Sequence, residues 1–169
     1  MKLGFVAAVV FLVVGCVAAA DGQGDNAPRG SEQNRSGDAV QFETLERGSN
    51  AGYDEPWCGV VRSREELEAL WNRLYRRRTP TPSPPELAFE DGVVIAAFMG
   101  RRPTGGYAIE VNSVVQSGDE LVVEISRREP GPGEIVTQAL TSPYHVVWLE
   151  LDNPEIAVRF LDCPEQLDS

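Results

Sequence analysis

The run Val93-Val94-Ile95-Ala96-Ala97-Phe98-Met99 constrains the fold of this chain more than any other stretch. A β-strand sends successive side chains to opposite faces, so a strand that is apolar at every position must be covered on both sides. That places it at the centre of a sheet and requires a layer above and a layer below. One layer is legible at once. Ser63-Arg64-Glu65-Glu66 has the form of a capping box, in which the serine hydroxyl accepts from the amide three residues on and the glutamate reaches back to the cap amide. Leu67, Leu70, Trp71 and Leu74 then recur on one helical face. Arg76, Arg77 and Arg78 read as a solvated last turn that suits the helix dipole. The proline-rich segment from Thr79 ends the helix as a stiff connector.

The remaining pattern is strand after strand. Val40, Phe42 and Thr44 alternate up to a stop at Gly48, and Trp57 to Val61 forms a second short strand. Tyr107, Ile109 and Val111 share one face, Ser117-Gly118-Asp119 turns the chain, and Leu121, Val123 and Ile125 return on one face. Tyr144 to Leu151 and Ile156 to Leu161 follow, separated by an Asp-Asn-Pro-Glu turn. The expected fold is α+β and mainly β: an antiparallel sheet curled into a barrel or sandwich with one helix packed against it, all in a single domain over residues 39–169.

Upstream of that domain, Lys2 and the apolar run Leu3–Val14 have the form of a secretory signal, too short to span a bilayer comfortably. Val13-Val14-Gly15-Cys16 resembles the lipobox of bacterial lipoproteins. The resemblance implies a signal peptide over residues 1–15, a lipid such as palmitate on Cys16, and a place on the bacterial cell envelope. With Val and not Asp at position 17, it implies the outer membrane where there are two. Residues 16–38 lack hydrophobic periodicity and read as a flexible tether. Lys2 is the only lysine, so losing the leader takes the net charge one unit below the −11 of the full chain. Such a balance argues against nucleic acid as a partner, and against membrane contact other than through the anchor. In an export compartment Cys58 and Cys163 are expected to form a disulfide.

The catalytic inventory is thin. His145 is the only histidine, which excludes paired-histidine metal sites. It reads as a partly exposed residue at a strand start. Ser142 and His145 are too close along an extended stretch to act easily as nucleophile and base, and no Gly-x-Ser-x-Gly elbow accompanies them. Gly100-Arg101-Arg102-Pro103-Thr104-Gly105-Gly106-Tyr107 lacks the lysine, hydroxyl and following helix of a phosphate loop. No enzyme activity, cofactor or metal is expected.

Two resemblances bear on function. The segment 92–151 carries an apolar strand ending in Gly100, the Arg102-Pro103-Thr104-Gly105-Gly106-Tyr107 turn, the Pro130-Gly131-Pro132-Gly133 loop, and Thr137-Gln138 leading to Ser142-Pro143-Tyr144-His145. In these it resembles the PrcB C-terminal family, named for an accessory lipoprotein of a bacterial surface protease complex. The family implies a non-catalytic, lipid-anchored protein that binds or stabilises an exported partner such as a protease. It supplies no catalytic residues. Pro103-Thr104-Gly105-Gly106-Tyr107 is also similar to the Asn-Pro-Thr-Thr-Gly-Tyr loop of chagasin-like cysteine protease inhibitors, with Arg102 in place of the asparagine and Gly105 in place of a threonine. That likeness implies insertion of the 101–107 loop into an enzyme cleft. Gly105 and Gly106 read as turn residues able to take positive φ, and Tyr107 opens the next strand. Arg101, Arg102, Pro103, Thr104, Gly105, Gly106 and Tyr107 are therefore the first candidate contact loop. Pro143, Tyr144 and His145 are the second, if both lie at the same end of the sheet.

Overall fold

The structure, a computed structural model, describes residues 37–163. The leader, Cys16 and all but the last residues of the tether lie outside the described residues. Eight strands and one helix follow in order: β1 Asp38–Ala39, β2 Glu43–Gly48, β3 Trp57–Val61, α1 Arg64–Leu74, β4 Gly92–Phe98, β5 Ala108–Ser117, β6 Glu120–Arg128, β7 Tyr144–Glu150 and β8 Ala157–Leu161. They form two four-stranded sheets, ordered β2-β7-β4-β3 and β1-β5-β6-β8.

The doubly apolar run is β4, and both of its faces are dry. Val94, Ala96 and Phe98 meet Leu67, Leu70, Trp71 and Leu74 of α1, whereas Val93, Ile95, Ala97 and Met99 meet Ile109, Val111, Val114, Leu121, Val123 and Ile125 of the second sheet. The result is three layers, with the β2-β7-β4-β3 sheet in the middle. α1 starts as expected, the Glu66 amide donating to the Ser63 hydroxyl at 3.2 Å. The Glu66 carboxylate accepts from the Arg62 amide at 2.7 Å, one residue before the cap. Leu87 and Phe89 of the connector close over the helix layer.

Several expectations are corrected. The sheet does not close into a barrel, since no pairing joins one sheet to the other and the arrangement is sandwich-like. β8 runs parallel to β6, with Glu120 opposite Ala157 and Glu124 opposite Leu161, so the pairing is not wholly antiparallel. Strand pairing begins at Asp38, which lies opposite Gln116. The single strand expected over residues 39–48 is divided between two strands in different sheets: β1, ending at Ala39, pairs with β5, and β2 pairs with β7, while Val40 and Phe42 pack between the sheets as the chain crosses. An alternating pattern reports which side is buried, and it continues unbroken through a crossover whose side chains point into the same core.

Arg76, Arg77 and Arg78 lie beyond the last helical residue, Leu74. They are not a simple solvated end. Arg76 and Arg77 both grip the Asp54 carboxylate, Arg77 at 2.5 Å, and Arg77 Nη1 donates to the Ala51 carbonyl. Arg77, followed by Arg76, holds the Asp54 carboxyl below the usual range. The pair thereby anchors the segment that carries Tyr53 into the helix layer.

At each side of the sandwich a covalent link joins the two sheets. On one side the crossover at Val40–Phe42 connects the edge strands β1 and β2. On the other, Cys58 in the edge strand β3 is bonded to Cys163, two residues past the edge strand β8, with Cα atoms 6.1 Å apart.

Candidate functional site

β4 and β7 run antiparallel with Phe98 opposite Tyr144, so the loop leaving β4 and the loop entering β7 emerge at the same end. Backbone hydrogen bonds then lace the two together. The Met99 amide donates to the Pro143 carbonyl, Arg102 and Thr141 exchange both of theirs, and the Gly105 amide donates to the Thr137 carbonyl at 2.9 Å. The Thr141 hydroxyl donates to the Thr104 carbonyl at 2.7 Å. The two candidate loops therefore converge.

The glycines explain how they approach so closely. Gly106 has φ +84°, where a Cβ would also meet the Val136 side chain at 2.7 Å. Gly105 has no positive φ, contrary to expectation. It is needed there because a Cβ would lie 2.4 Å from Thr137 Oγ1. The outer part of the second loop is pinned in turn, Arg128 donating to the Gly106 carbonyl at 2.8 Å and to Glu134 at 2.5 Å.

Within this frame the ten candidate residues separate by depth. Arg101 and Pro103 are exposed, and Arg102, Thr104, Gly105, Gly106 and Tyr107 are half-buried. Tyr107 packs on the inter-sheet core, with the Arg102 guanidinium 5.9 Å from its ring centroid, and β5 begins at Ala108. Pro143, Tyr144 and His145 are buried beneath the loop surface. Tyr144 stacks on Phe98 and its hydroxyl faces Glu46 at 3.4 Å. Burial, then the charge of Glu46, pushes the Tyr144 phenol well above its ordinary value. Two residues that sequence reasoning passed over stand outward: Ile135 is fully exposed and Leu140 is 60% exposed. The available signal was two large aliphatic residues, Ile135 and Leu140, in a loop without strand or helix periodicity.

His145 is a buried core residue, 3% exposed, and not the partly exposed strand start expected. The Val111 amide, beside a register shift in β5, donates to its Nδ1 at 3.0 Å. Nδ1 is therefore bare and Nε2 carries the proton, which it donates to Thr44 Oγ1 at 2.9 Å. The neutral ring thus bonds β7 to β5 in the opposite sheet and to β2 in its own. The Ser142 hydroxyl donates to the Tyr53 carbonyl at 2.5 Å, so serine and histidine do not form a catalytic pair. Among the described residues no group of three or more His, Cys, Asp or Glu is placed to hold a metal.

Burial, then the charge of Arg47, lowers the His145 pKa, with Glu110 opposing. The unfolded histidine takes up a proton near pH 6.5, whereas the folded ring resists until lower pH. Stability is therefore full above about pH 6.5 and falls as pH drops through the interval below it, because the unfolded chain binds the extra proton there. We expect denaturant midpoints measured at about pH 7.5 and about pH 5 to differ in the native chain. His145→Gln should be less stable at the higher pH and should show a smaller difference. An equal pH response in both proteins would remove His145 as its source.

Residues 93–150 match the family model described as PrcB C-terminal. That span contains β4 to β7 and both laced loops, and so the centre of each sheet, while α1 and the four edge strands lie outside it. No curated protein and no solved structure matches the chain.

Proposed function

Because residues 93–150 match the PrcB C-terminal family, we propose that this protein is a non-catalytic accessory protein of the bacterial cell envelope, lipid-anchored through Cys16, that binds or stabilises an exported partner such as a protease subunit. The observation that carries this reading is the pair of laced loops. Four backbone hydrogen bonds and a threonine hydroxyl fix them to each other, and the side chains left outward have no visible part in that lacing: Arg101, Pro103, Ile135 and Leu140. Rigidly held loops are common carriers of contact residues, and arginine with exposed aliphatic groups suits a protein interface. The described chain begins at Gly37 beside Gln116, near the far end of β5 from the loops. At about 3.3 Å per residue, β5 sets Gly37 roughly 30 Å from the loop end.

Insertion of the 101–107 loop into a cysteine protease cleft is less well supported. Thr104 and Gly105 are tied to Thr141 and Thr137, and Tyr107 is half-buried.

The test is co-purification of the solubilised protein with a stoichiometric partner. Arg101→Glu combined with Ile135→Asp should abolish retention of that partner and leave the melting temperature nearly unchanged, since exposed substitutions typically move stability by about 0.5 kcal/mol or less. Full retention by the double variant, or substrate turnover by the pure protein that one side-chain replacement removes, overturns the reading.

A further inference from the structure

A cleft of about 680 Å³ opens beside the laced loops, between the segment that follows β2, the turn that follows α1, and Leu140. The largely buried Leu74, Tyr75 and Tyr144 form its floor, and the exposed Arg77, Arg78 and Leu140 line it as well. Three independent features of this cleft point to the same kind of occupant.

The first is charge. Arg76, Arg77 and Arg78 stand against Asp54 and Glu46, a local positive excess in a chain of net charge −11. Asp54 is shared by Arg76 and Arg77. Arg78 makes no ion pair among the described residues, and its guanidinium lies 5.8 Å from the Tyr75 ring centroid. A guanidinium held on an aromatic face keeps its donors for a carboxylate.

The second is backbone. Ser142 donates to the Ser49 carbonyl and accepts from the Ala51 amide. Asn50, between them, must turn its own N–H and C=O the other way, and among the described residues neither has a hydrogen bond. It is exposed and lies two residues past the end of β2, an edge strand, in an isolated bridge to Ser142. An exposed donor and acceptor at a sheet edge is what an added extended segment pairs with.

The third is Leu140, 60% exposed and lining the same cleft as Asn50, an apolar group free to pack on a side chain of whatever lies there.

We propose that this cleft binds an extended acidic segment of the partner protein: its backbone pairs with Asn50, an apolar side chain packs against Leu140 and Tyr75, and a carboxylate sits on Arg78. The proposal rests on the reading of the protein as an accessory binder and adds the chemistry that its partner must show. A membrane surface fits less well, because an edge amide and carbonyl recognise a peptide backbone and not a headgroup.

The experiment is a titration of the isotope-labelled full chain with a blocked hexapeptide alternating glutamate and leucine, followed by resonance shifts of the Asn50 amide and the Leu140 methyls. Saturable shifts at both are expected, weakening with added salt. Arg78→Glu should weaken binding about tenfold, as expected for loss of a charge-assisted pair, and Leu140→Ser should also weaken it. Both positions are exposed, so neither variant endangers folding. Absence of the shifts, equal binding of a lysine-leucine peptide, or the same shifts produced by anionic vesicles alone overturns the proposal. If the peptide fails while Arg101→Glu with Ile135→Asp still abolishes partner retention, the accessory reading survives without this cleft. If no partner is retained by the native chain either, both fall.

Discussion

Replacing Cys58 and Cys163 together by serine is expected to lower the unfolding free energy by up to about 4.7 kcal/mol, the chain-entropy value for a closed loop of about 100 residues. The bridge closes 105 residues, nearly the whole of the described fold. A small domain has only about 5–15 kcal/mol in total, so this one bond accounts for a large share of the margin. Its position explains why the loss should be felt throughout. β3 and β8 are edges of different sheets, and no strand pairing joins the sheets. On the β1–β2 side the chain itself makes the connection; on the β3–β8 side the disulfide does. Opening it also enlarges the unfolded ensemble. Urea denaturation with and without reductant, alongside the double serine variant, provides the measurement. Reduced native protein and the variant should agree. A loss below about 1 kcal/mol in both, on the chain-entropy scale, would show that the loop closure contributes little.

Phe98→Ala should cost about 3–5 kcal/mol, the usual range for truncating a buried aromatic residue. Phe98 is wholly buried at the last position of β4. Its ring stacks on Tyr53 with centroids 3.8 Å apart and on Tyr144 at 6.0 Å, with Trp57 at 5.8 Å. Alanine would open a cavity among three aromatic rings, Tyr53 and Trp57 at the entry to β3 and Tyr144 at the start of β7, which are held by their own strands and cannot easily collapse onto it. The site also lies immediately before Met99 and Gly100, where the laced loops begin, so the damage should reach the contact surface. Phe98→Leu refills most of the volume and should cost clearly less than the alanine change. Equilibrium denaturation of the two variants separates the cases. Equal costs would mean that ring stacking, and not filled volume, is what matters at this position.

How far these features were legible differs by kind. The covering of β4 on both faces, the start of α1 at Ser63, and the pairing of Cys58 with Cys163 all follow from local pattern or from the number of available partners. His145 was misjudged because polarity argued for the surface, whereas its two ring nitrogens are satisfied by Val111 and Thr44, from strands far away in the chain. Gly105 was expected to serve its own backbone torsion and instead makes room for Thr137. The cleft at Arg78 was invisible, since Asn50, Arg78 and Leu140 come from three segments with no common motif.

The residues alone determined which apolar faces of the strands had to leave water, where the helix starts, and that the strand from Val93 needed a layer on each side. The tertiary structure decided that the second layer is a separate sheet, that β8 lies parallel to β6, and that two loops laced through Thr104 and Thr141, 37 residues apart in the chain, share one surface. The reason is physical. A period of two in hydrophobicity specifies which face of a strand is dry, but it is the same for every neighbour that could dry it. Which strand lies beside which depends on long-range hydrogen bonding and core packing, and these are set only when the whole chain is folded.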